Sequence, residues 1–123
     1  MKRILLTNNS RAVEKYGDKV EVLYIDTSYL DVLYHVRDKI HLQYKLLTHP
    51  MAGSLKPNQT PFKSVLLEKS EGMDMQSLIL IENSIEAAKK FLNYKSVPNW
   101  PKLILEDFKT VDLSLVDYSI ISK

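Results

Sequence analysis

The residues best suited to chemistry lie in one polar loop, between Thr48 and Thr60. His49 could exchange a proton near neutral pH, and Lys56 or Asn58 could orient a carboxylate or a phosphate beside it. The sequence offers no second proton-transfer group at a fixed spacing from His49, so the pattern favours binding of a small anion over catalysis. The candidate ligand-binding residues of the loop are Thr48, His49, Gly53, Ser54, Lys56, Asn58 and Thr60.

Three prolines predict that this loop is ordered. Pro50, Pro57 and Pro61 each fix their own backbone φ angle and restrict the residue before them. Ordering so many varied polar side chains costs conformational entropy, which favours a loop whose surface is used for binding. The alternative is a structural loop that is pinned to the core by its apolar residues and whose polar groups satisfy its own backbone.

The composition excludes several kinds of site. The chain has no cysteine, so it has neither a thiol nucleophile nor a disulfide. Its three glycines form neither of the common phosphate-binding patterns, G-x-G-x-x-G and G-x-x-x-x-G-K-[ST]. His35 and His41 point to different sides of a predicted helix and cannot share a metal ion by themselves. We therefore predict no cofactor and no metal.

Charge and hydropathy argue against nucleic acids and membranes as partners. The 17 basic and 15 acidic residues are interleaved, the formal net charge is +2, and no basic stripe is present to contact a phosphate backbone. The N-terminal apolar run, Ile4 to Leu6, is far too short for a signal peptide. No run approaches the roughly 18 apolar residues of a membrane-spanning helix. A cytoplasmic location is the expectation.

The loop follows a predicted strand at residues 45–48, and two earlier predicted strands also end in polar residues. Residues 3–7 form a short apolar run typical of a strand buried on both faces, and residues 20–25 form a second apolar run. Between them we predict a brief helix that Gly17 ends in the left-handed conformation. The opening of the chain therefore reads as a strand, a helix and a second, parallel strand.

The ends of these strands predict the location of a site. Ligands of open α/β sheets bind beyond the carboxyl ends of the strands, so Thr7, Asn8 and Asn9 join the candidate ligand-binding residues. Helix capping is the simpler role for Asn9, and also for Ser28 before the next helix. We expect Thr7, Asp26 and Thr48 to lie at one edge of the same sheet, by the strand pattern alone.

The order of predicted strands and helices along the chain predicts an α/β fold. We expect one layered domain over residues 1–123, with a mainly parallel sheet of about four strands flanked by helices. A fourth strand is predicted at residues 62–69, in a direction that the sequence leaves open. Two strong helices carry buried apolar stripes and begin at Ser28 and Asp74. Near the C-terminus we predict one broken helix, restarted at Asp112. Its predicted apolar face is formed by Ile104, Phe108, Val111 and Leu115.

The segment from Lys45 to Ser64 reads K-L-L-T-H-P-M-A-G-S-L-K-P-N-Q-T-P-F-K-S. It resembles the GrdX-like family and its pattern L-L-T-H-P-[LM]-x-G-S-x-K-P-N-x-T-P-[FY]-K-S. The similarity extends to shorter segments at residues 28–30, 36–38 and 81–85, and so covers most of the chain up to about Leu92. Gln43-Tyr44 departs from the Gly-His pair expected in some members.

This resemblance implies a biological setting and no reaction. The family takes its name from the glycine reductase operons of amino-acid-fermenting anaerobes, in which selenoproteins reduce glycine, sarcosine or betaine and yield acetyl phosphate. The resemblance implies an accessory protein whose partners are glycine or betaine reductase components, or a small anionic metabolite. The resemblance carries over no catalytic residue. We expect a non-catalytic small-anion or protein-binding domain, and the alternative is a small enzyme that uses His49 as acid or base.

Overall fold

The protein is built around a four-stranded sheet with helices on both faces, seen in a computed structural model that describes residues 2–51 and 55–121. The elements in chain order are β1 (Arg3–Thr7), α1 (Arg11–Tyr16), β2 (Glu21–Tyr24), α2 (Tyr29–His41), β3 (Tyr44–Leu46), β4 (Ser64–Lys69), α3 (Met75–Tyr94) and α4 (Lys102–Ile121). Among the helices of these described ranges, none has the length and apolar character to cross a membrane.

The sheet is mixed, so the expectation of a mainly parallel sheet is wrong. Its strand order is β2-β1-β4-β3. β1 and β2 are parallel, whereas β4 is antiparallel to both of its neighbours, β1 and β3. A parallel return would need a crossover connection, usually a helix. The described part of the loop between β3 and β4 contains no helix, and the chain turns back beside the strand that it has just left.

The two central strands, β1 and β4, are buried on both faces. Ile4 and Leu67 point toward one apolar core, while Leu5 and Leu66 belong to the core on the opposite face. This double burial explains why both strands read as continuous apolar runs in the sequence.

Helices α2 and α3 pack together on the first face, and both begin as predicted. The Ser28 hydroxyl accepts a hydrogen bond from the Asp31 N–H, and the Asp74 carboxylate accepts one from the Ser77 N–H. These caps satisfy backbone donors that have no partner inside the helix. The predicted stripes are buried, among them Leu33, Val36, Ile40, Ile81, Ile85 and Ala88.

Helices α1 and α4 cover the second face, where the prediction of a broken C-terminal helix is wrong. α4 runs without interruption from Lys102 to Ile121. Its predicted apolar face is turned outward. The residues that α4 buries are Asp112, Leu113, Val116 and Ile120. The error arose because the buried face carries an aspartate, which made the outer face read as the more apolar one.

Two short connections depart from the expected backbone conformations. Gly17 has φ −60°, in the right-handed region, and donates its N–H to the Val13 carbonyl, so the left-handed end predicted for α1 is wrong. Gln43 has φ 68° in the turn from α2 to β3. That is the left-handed region, which favours glycine, and Gln43 stands where some relatives were expected to carry one.

Candidate functional site

The polar ends of the strands meet at one edge of the sheet, as the sequence predicted. Thr7 at the end of β1 lies opposite Tyr24 of β2 and Ser64 of β4. Asp26 follows β2 at this edge. β3 runs parallel to β1, and beyond its end the Thr48 hydroxyl accepts a hydrogen bond from the Leu66 N–H at 3.0 Å.

At this edge, a chain of buried hydrogen bonds connects β1 and β4 to α4. The Asn9 N–H donates to the Thr7 hydroxyl at 2.9 Å, and the Thr7 and Ser64 hydroxyl oxygens are 2.6 Å apart. The Ser64 hydroxyl donates to Asp112 Oδ2 at 2.7 Å, and Asn9 Nδ2 donates to the same oxygen at 3.0 Å. Asp112 therefore links α4 to the edge of the sheet through hydrogen bonds. These bonds explain why a carboxyl group lies on the buried side of α4.

Asn8 has a separate, structural role beside this network. Its Nδ2 donates to the Thr27 and Pro61 carbonyls at 2.8 Å each, and its Oδ1 accepts from the Lys63 N–H at 2.8 Å. All three bonds go to backbone groups. Asn8 thus fixes the end of the long loop against the connection that follows β2.

The most unusual side chain at the edge is Lys63, which the sequence analysis did not select. It is 3% exposed. Within residues 2–51 and 55–121, its ammonium has neither a hydrogen-bond partner nor an ion-pair partner. Lys63 lines a cavity of about 10 Å³, together with Tyr29, Leu55, Thr60, Phe62, Asp112 and Leu115. A cavity of this size has room for about one water molecule.

The ionisable groups around the cavity are strongly perturbed by burial. Desolvation lowers the pKa of Lys63, although the nearby Asp112 opposes the shift. Desolvation also raises the pKa of Asp112, against the hydrogen bonds from Ser64 and Asn9 and the charge of Lys63. The pKa of Tyr29 is raised mainly by burial and further by Asp112. Each shift disfavours the charged form, as expected where water is excluded.

An open groove of about 430 Å³ adjoins the cavity. Its lining residues are Leu55, Asn58, Gln59, Lys95, Pro98, Trp100 and Phe108. Leu55 lines both spaces. Asn58 Nδ2 donates to the Phe91 carbonyl at 3.0 Å, and the Lys56 ammonium lies 5.3 Å from the centre of the Phe91 ring. Asn58 and Lys56 therefore lie toward α3.

The structure divides the predicted loop residues among several places. Thr60 lines the Lys63 cavity and Asn58 lines the groove. His49 is exposed, its Nδ1 accepts a hydrogen bond from the Met51 N–H at 2.9 Å, and it lines neither of these spaces. Gly53 and Ser54 lie outside the described residues.

Metal binding finds no support in the described part of the chain. Residues 2–51 and 55–121 contain no group of three or more His, Cys, Asp or Glu side chains that could hold a metal ion. The chemistry available at the cavity is that of one ammonium, one carboxyl and two hydroxyl groups.

Comparison with known protein families identifies the family of this chain. A family model described as GrdX-like protein matches residues 4–121, nearly the whole chain. The chain belongs to the GrdX-like family. A search of curated proteins found no significant match, and a search of solved structures found none either. The GrdX-like match extends past Leu92 through α4, so it includes both Lys63 on the loop and Asp112 on the helix.

Two signals in the sequence could have located Lys63. It directly precedes β4, whose first four residues are buried, so a lysine at this position is brought toward the core. It also lies inside the segment that resembles the GrdX-like pattern. Nothing local could have identified Asp112, because its partners are 48 and 103 residues away along the chain.

Proposed function

We propose that this GrdX-like protein is a non-catalytic domain that binds a small anion, a carboxylate or a phosphate, and acts as an accessory protein of the glycine, sarcosine or betaine reductase system. The observation that carries the proposal is the Lys63 side chain, which is 3% exposed, lines a small cavity beside Asp112, and has no hydrogen-bond or ion-pair partner for its ammonium among the described residues. The reductase setting is supported by membership of the GrdX-like family.

Electrostatics favour an anion in this cavity. Removing a charged ammonium from water costs free energy unless an opposite charge or hydrogen-bond acceptors compensate. An anionic oxygen would supply both, and Tyr29 and Thr60, which carry hydroxyl groups, line the same cavity. Because the space holds about one water molecule, one oxygen of the ligand would occupy it. The rest of the ligand would extend past Leu55 toward the groove.

Asp112 makes this binding dependent on pH. A carboxylate beside the ligand would repel an anion, but burial already raises the pKa of Asp112. An anion would raise that pKa further, so Asp112 would take up a proton as the ligand binds. The affinity should therefore increase as the pH falls toward the range in which Asp112 is protonated, provided that Lys63 stays charged.

Catalysis by His49 is the alternative that the sequence left open. His49 lies on an exposed part of the loop, hydrogen-bonded to the Met51 N–H, and does not line the cavity. General acid–base catalysis requires the proton-transfer group to lie within hydrogen-bond reach of the substrate. The separation of His49 from the Lys63 cavity favours binding over catalysis.

The proposal is tested by titration calorimetry with acetate, phosphate and acetyl phosphate. We expect saturable binding of at least one anion by the native protein and loss of that binding in Lys63→Met, which removes the charge and keeps an unbranched side chain. Lys19→Met, at an exposed position on the surface, serves as the matched control and should bind as the native protein does. Equal binding by Lys63→Met and the native protein would contradict the proposed site.

Association with the reductase requires a second experiment. Purified glycine or betaine reductase components should form a complex with the native protein in sedimentation experiments. If no component associates, in the presence or absence of the anion, the accessory role is wrong even where the anion site is correct.

A further inference from the structure

Two parts of the chain, the end of the long loop and helix α4, line both the small cavity and the open groove. Thr60 and Asp112 line the cavity, whereas Gln59 and Phe108 line the groove, and Leu55 lines both. Asp112 follows Phe108 by four residues on α4, which is a rise of about 6 Å along the same side of the helix. One ligand of about that length can therefore reach both spaces.

The wall of the groove is apolar, aromatic and held in place by contacts within the protein. The Trp100 and Phe108 rings meet edge to face, with 5.5 Å between their centres. Trp100 Nε1 donates a hydrogen bond to the Gln59 carbonyl at 2.7 Å, which satisfies the polar group of the indole. Leu55 and Pro98 add apolar lining. An aromatic ring of a ligand can stack on such rings or meet them edge to face.

Charge sets different limits on the two ends of such a ligand. Among the described residues that line the cavity, Lys63 is the one base and Asp112 the one acid. A single negative charge balances the Lys63 ammonium once Asp112 is protonated, whereas the second charge of a phosphate dianion would stay uncompensated in a buried place. The groove is lined by Lys95 and, within residues 2–51 and 55–121, by no Asp or Glu. A cationic group would find no counter-charge there.

We propose that the ligand of this site is an aromatic monocarboxylate, with its carboxylate at Lys63 and its ring in the groove against Trp100 and Phe108. This inference rests on the proposed anion site and names the class of anion that the site selects. Hydrocinnamate, in which two carbon atoms join a phenyl ring to a carboxylate, spans about 5 Å from the carboxylate carbon to the ring centre. That length is close to the helical turn that separates Phe108 from Asp112. Acetate fills the cavity alone and forgoes the aromatic contacts.

Titration calorimetry with hydrocinnamate and acetate tests the class of ligand. We expect hydrocinnamate to bind at least about tenfold more tightly than acetate, a difference of about 1.4 kcal/mol. Phe108→Ala should remove most of this advantage, because it deletes one of the two rings that line the groove. Tyr94→Ala is the matched control, since Tyr94 is an 87% exposed aromatic residue that does not line the groove. This variant should keep the full advantage.

The fluorescence of Trp100 reports on the groove directly, because it is the single tryptophan of the chain. Bound hydrocinnamate should shift the Trp100 emission and slow its quenching by acrylamide, since the ligand ring covers the half-buried indole. This measurement uses the native protein and stays decisive if Phe108→Ala fails to fold. Calorimetric binding of hydrocinnamate without any change in Trp100 emission or quenching would place the ring elsewhere and overturn the proposal.

A saturated analogue of hydrocinnamate tests the aromatic part of the proposal. Cyclohexylpropanoate, with the ring at the end of the same two-carbon spacer, has the same charge but a ring that is not planar. We expect it to bind less tightly than hydrocinnamate, because it cannot form stacked or edge-to-face contacts with Trp100 and Phe108. Equal or tighter binding of the cyclohexyl compound would overturn the aromatic class.

Lys63→Met separates this inference from the anion site itself. If acetate binds the native protein and not Lys63→Met, while hydrocinnamate binds no more tightly than acetate, the inference is wrong and the anion site stands. If hydrocinnamate binds Lys63→Met as tightly as the native protein, both the anion site and the inference are wrong. Absence of hydrocinnamate binding to the native protein would overturn the inference, whichever other anion binds.

Discussion

Replacing Asp112 by alanine tests the buried network that joins the sheet to α4. In the native protein, Asp112 Oδ2 accepts hydrogen bonds from Ser64 Oγ and Asn9 Nδ2. The substitution removes both bonds from two donors that lie on buried residues, Ser64 and Asn9. It also removes the carboxyl group nearest to the buried Lys63. We therefore expect Asp112→Ala to destabilise the fold, even though alanine is the better helix former.

The magnitude follows from the two lost bonds. A hydrogen bond to a charged group contributes about 1.5 to 3 kcal/mol, so the gross loss is about 3 to 6 kcal/mol. Part of this free energy is recovered, because Asn9 Nδ2 keeps the Lys109 carbonyl as a partner and the Ser64 hydroxyl can turn toward Thr7. Removing the desolvated Asp112 carboxylate offsets a further part of the loss. The expected net loss is about 2 to 4 kcal/mol, which lowers the Tm by roughly 10 °C for a chain of this size.

Urea unfolding followed by circular dichroism measures this loss. Asp107→Ala is the matched control on the exposed side of α4 and should change the free energy of unfolding by less than about 0.5 kcal/mol. A double-mutant cycle with Ser64→Ala should give a coupling of about 0.5 to 3 kcal/mol between the two side chains. If Asp112→Ala is as stable as Asp107→Ala, the hydrogen-bonded network does not stabilise the fold and our account of α4 fails.

Four further predictions concern single substitutions. Because burial raises the pKa of Asp112 above its unfolded value of about 3.9, native stability should fall as pH rises from about 4 to the raised pKa, and Asp112→Asn should flatten that slope in urea titrations. Ile85→Ala should cost about 2 to 4 kcal/mol in a denaturant melt, and an unchanged midpoint would refute its core position. Asp74→Ala should cost about 1 kcal/mol by loss of the α3 cap, and a loss of helix stability too small to measure would contradict that role. Gln43→Gly should raise the Tm by relieving the left-handed backbone conformation, and a lowered Tm would contradict this expectation.

Local sequence signals were sufficient for most elements of the fold. The continuous apolar run of β1 predicted a strand that is buried on both faces, and the apolar run from Val65 to Leu67 predicted β4. The caps at Ser28 and Asp74, together with apolar stripes of helical period, predicted α2 and α3. These features depend on residues within one or two turns of each other, so the sequence shows them directly. The polar ends of the strands meet at one edge of the sheet, as the strand pattern predicted.

The features that the sequence left open or predicted wrongly are those set by contacts between distant residues. The direction of β4 depends on how a long loop returns to the sheet, which no residue in that loop determines by itself. The buried side of α4 depends on Asp112 finding Ser64 and Asn9 across the sheet edge. For the same reason Lys63 was overlooked, because an isolated lysine before a strand shows neither its burial nor its neighbours.

The most direct test of the anion site is a crystal structure of the protein grown with phosphate or acetate. The proposed function predicts electron density for the anion at the cavity lined by Lys63 and Thr60. One oxygen should lie within hydrogen-bond distance of Lys63 Nζ, and the same density should be absent from Lys63→Met crystals. A water molecule alone in that cavity at saturating anion, or an anion bound equally in both proteins, would contradict it.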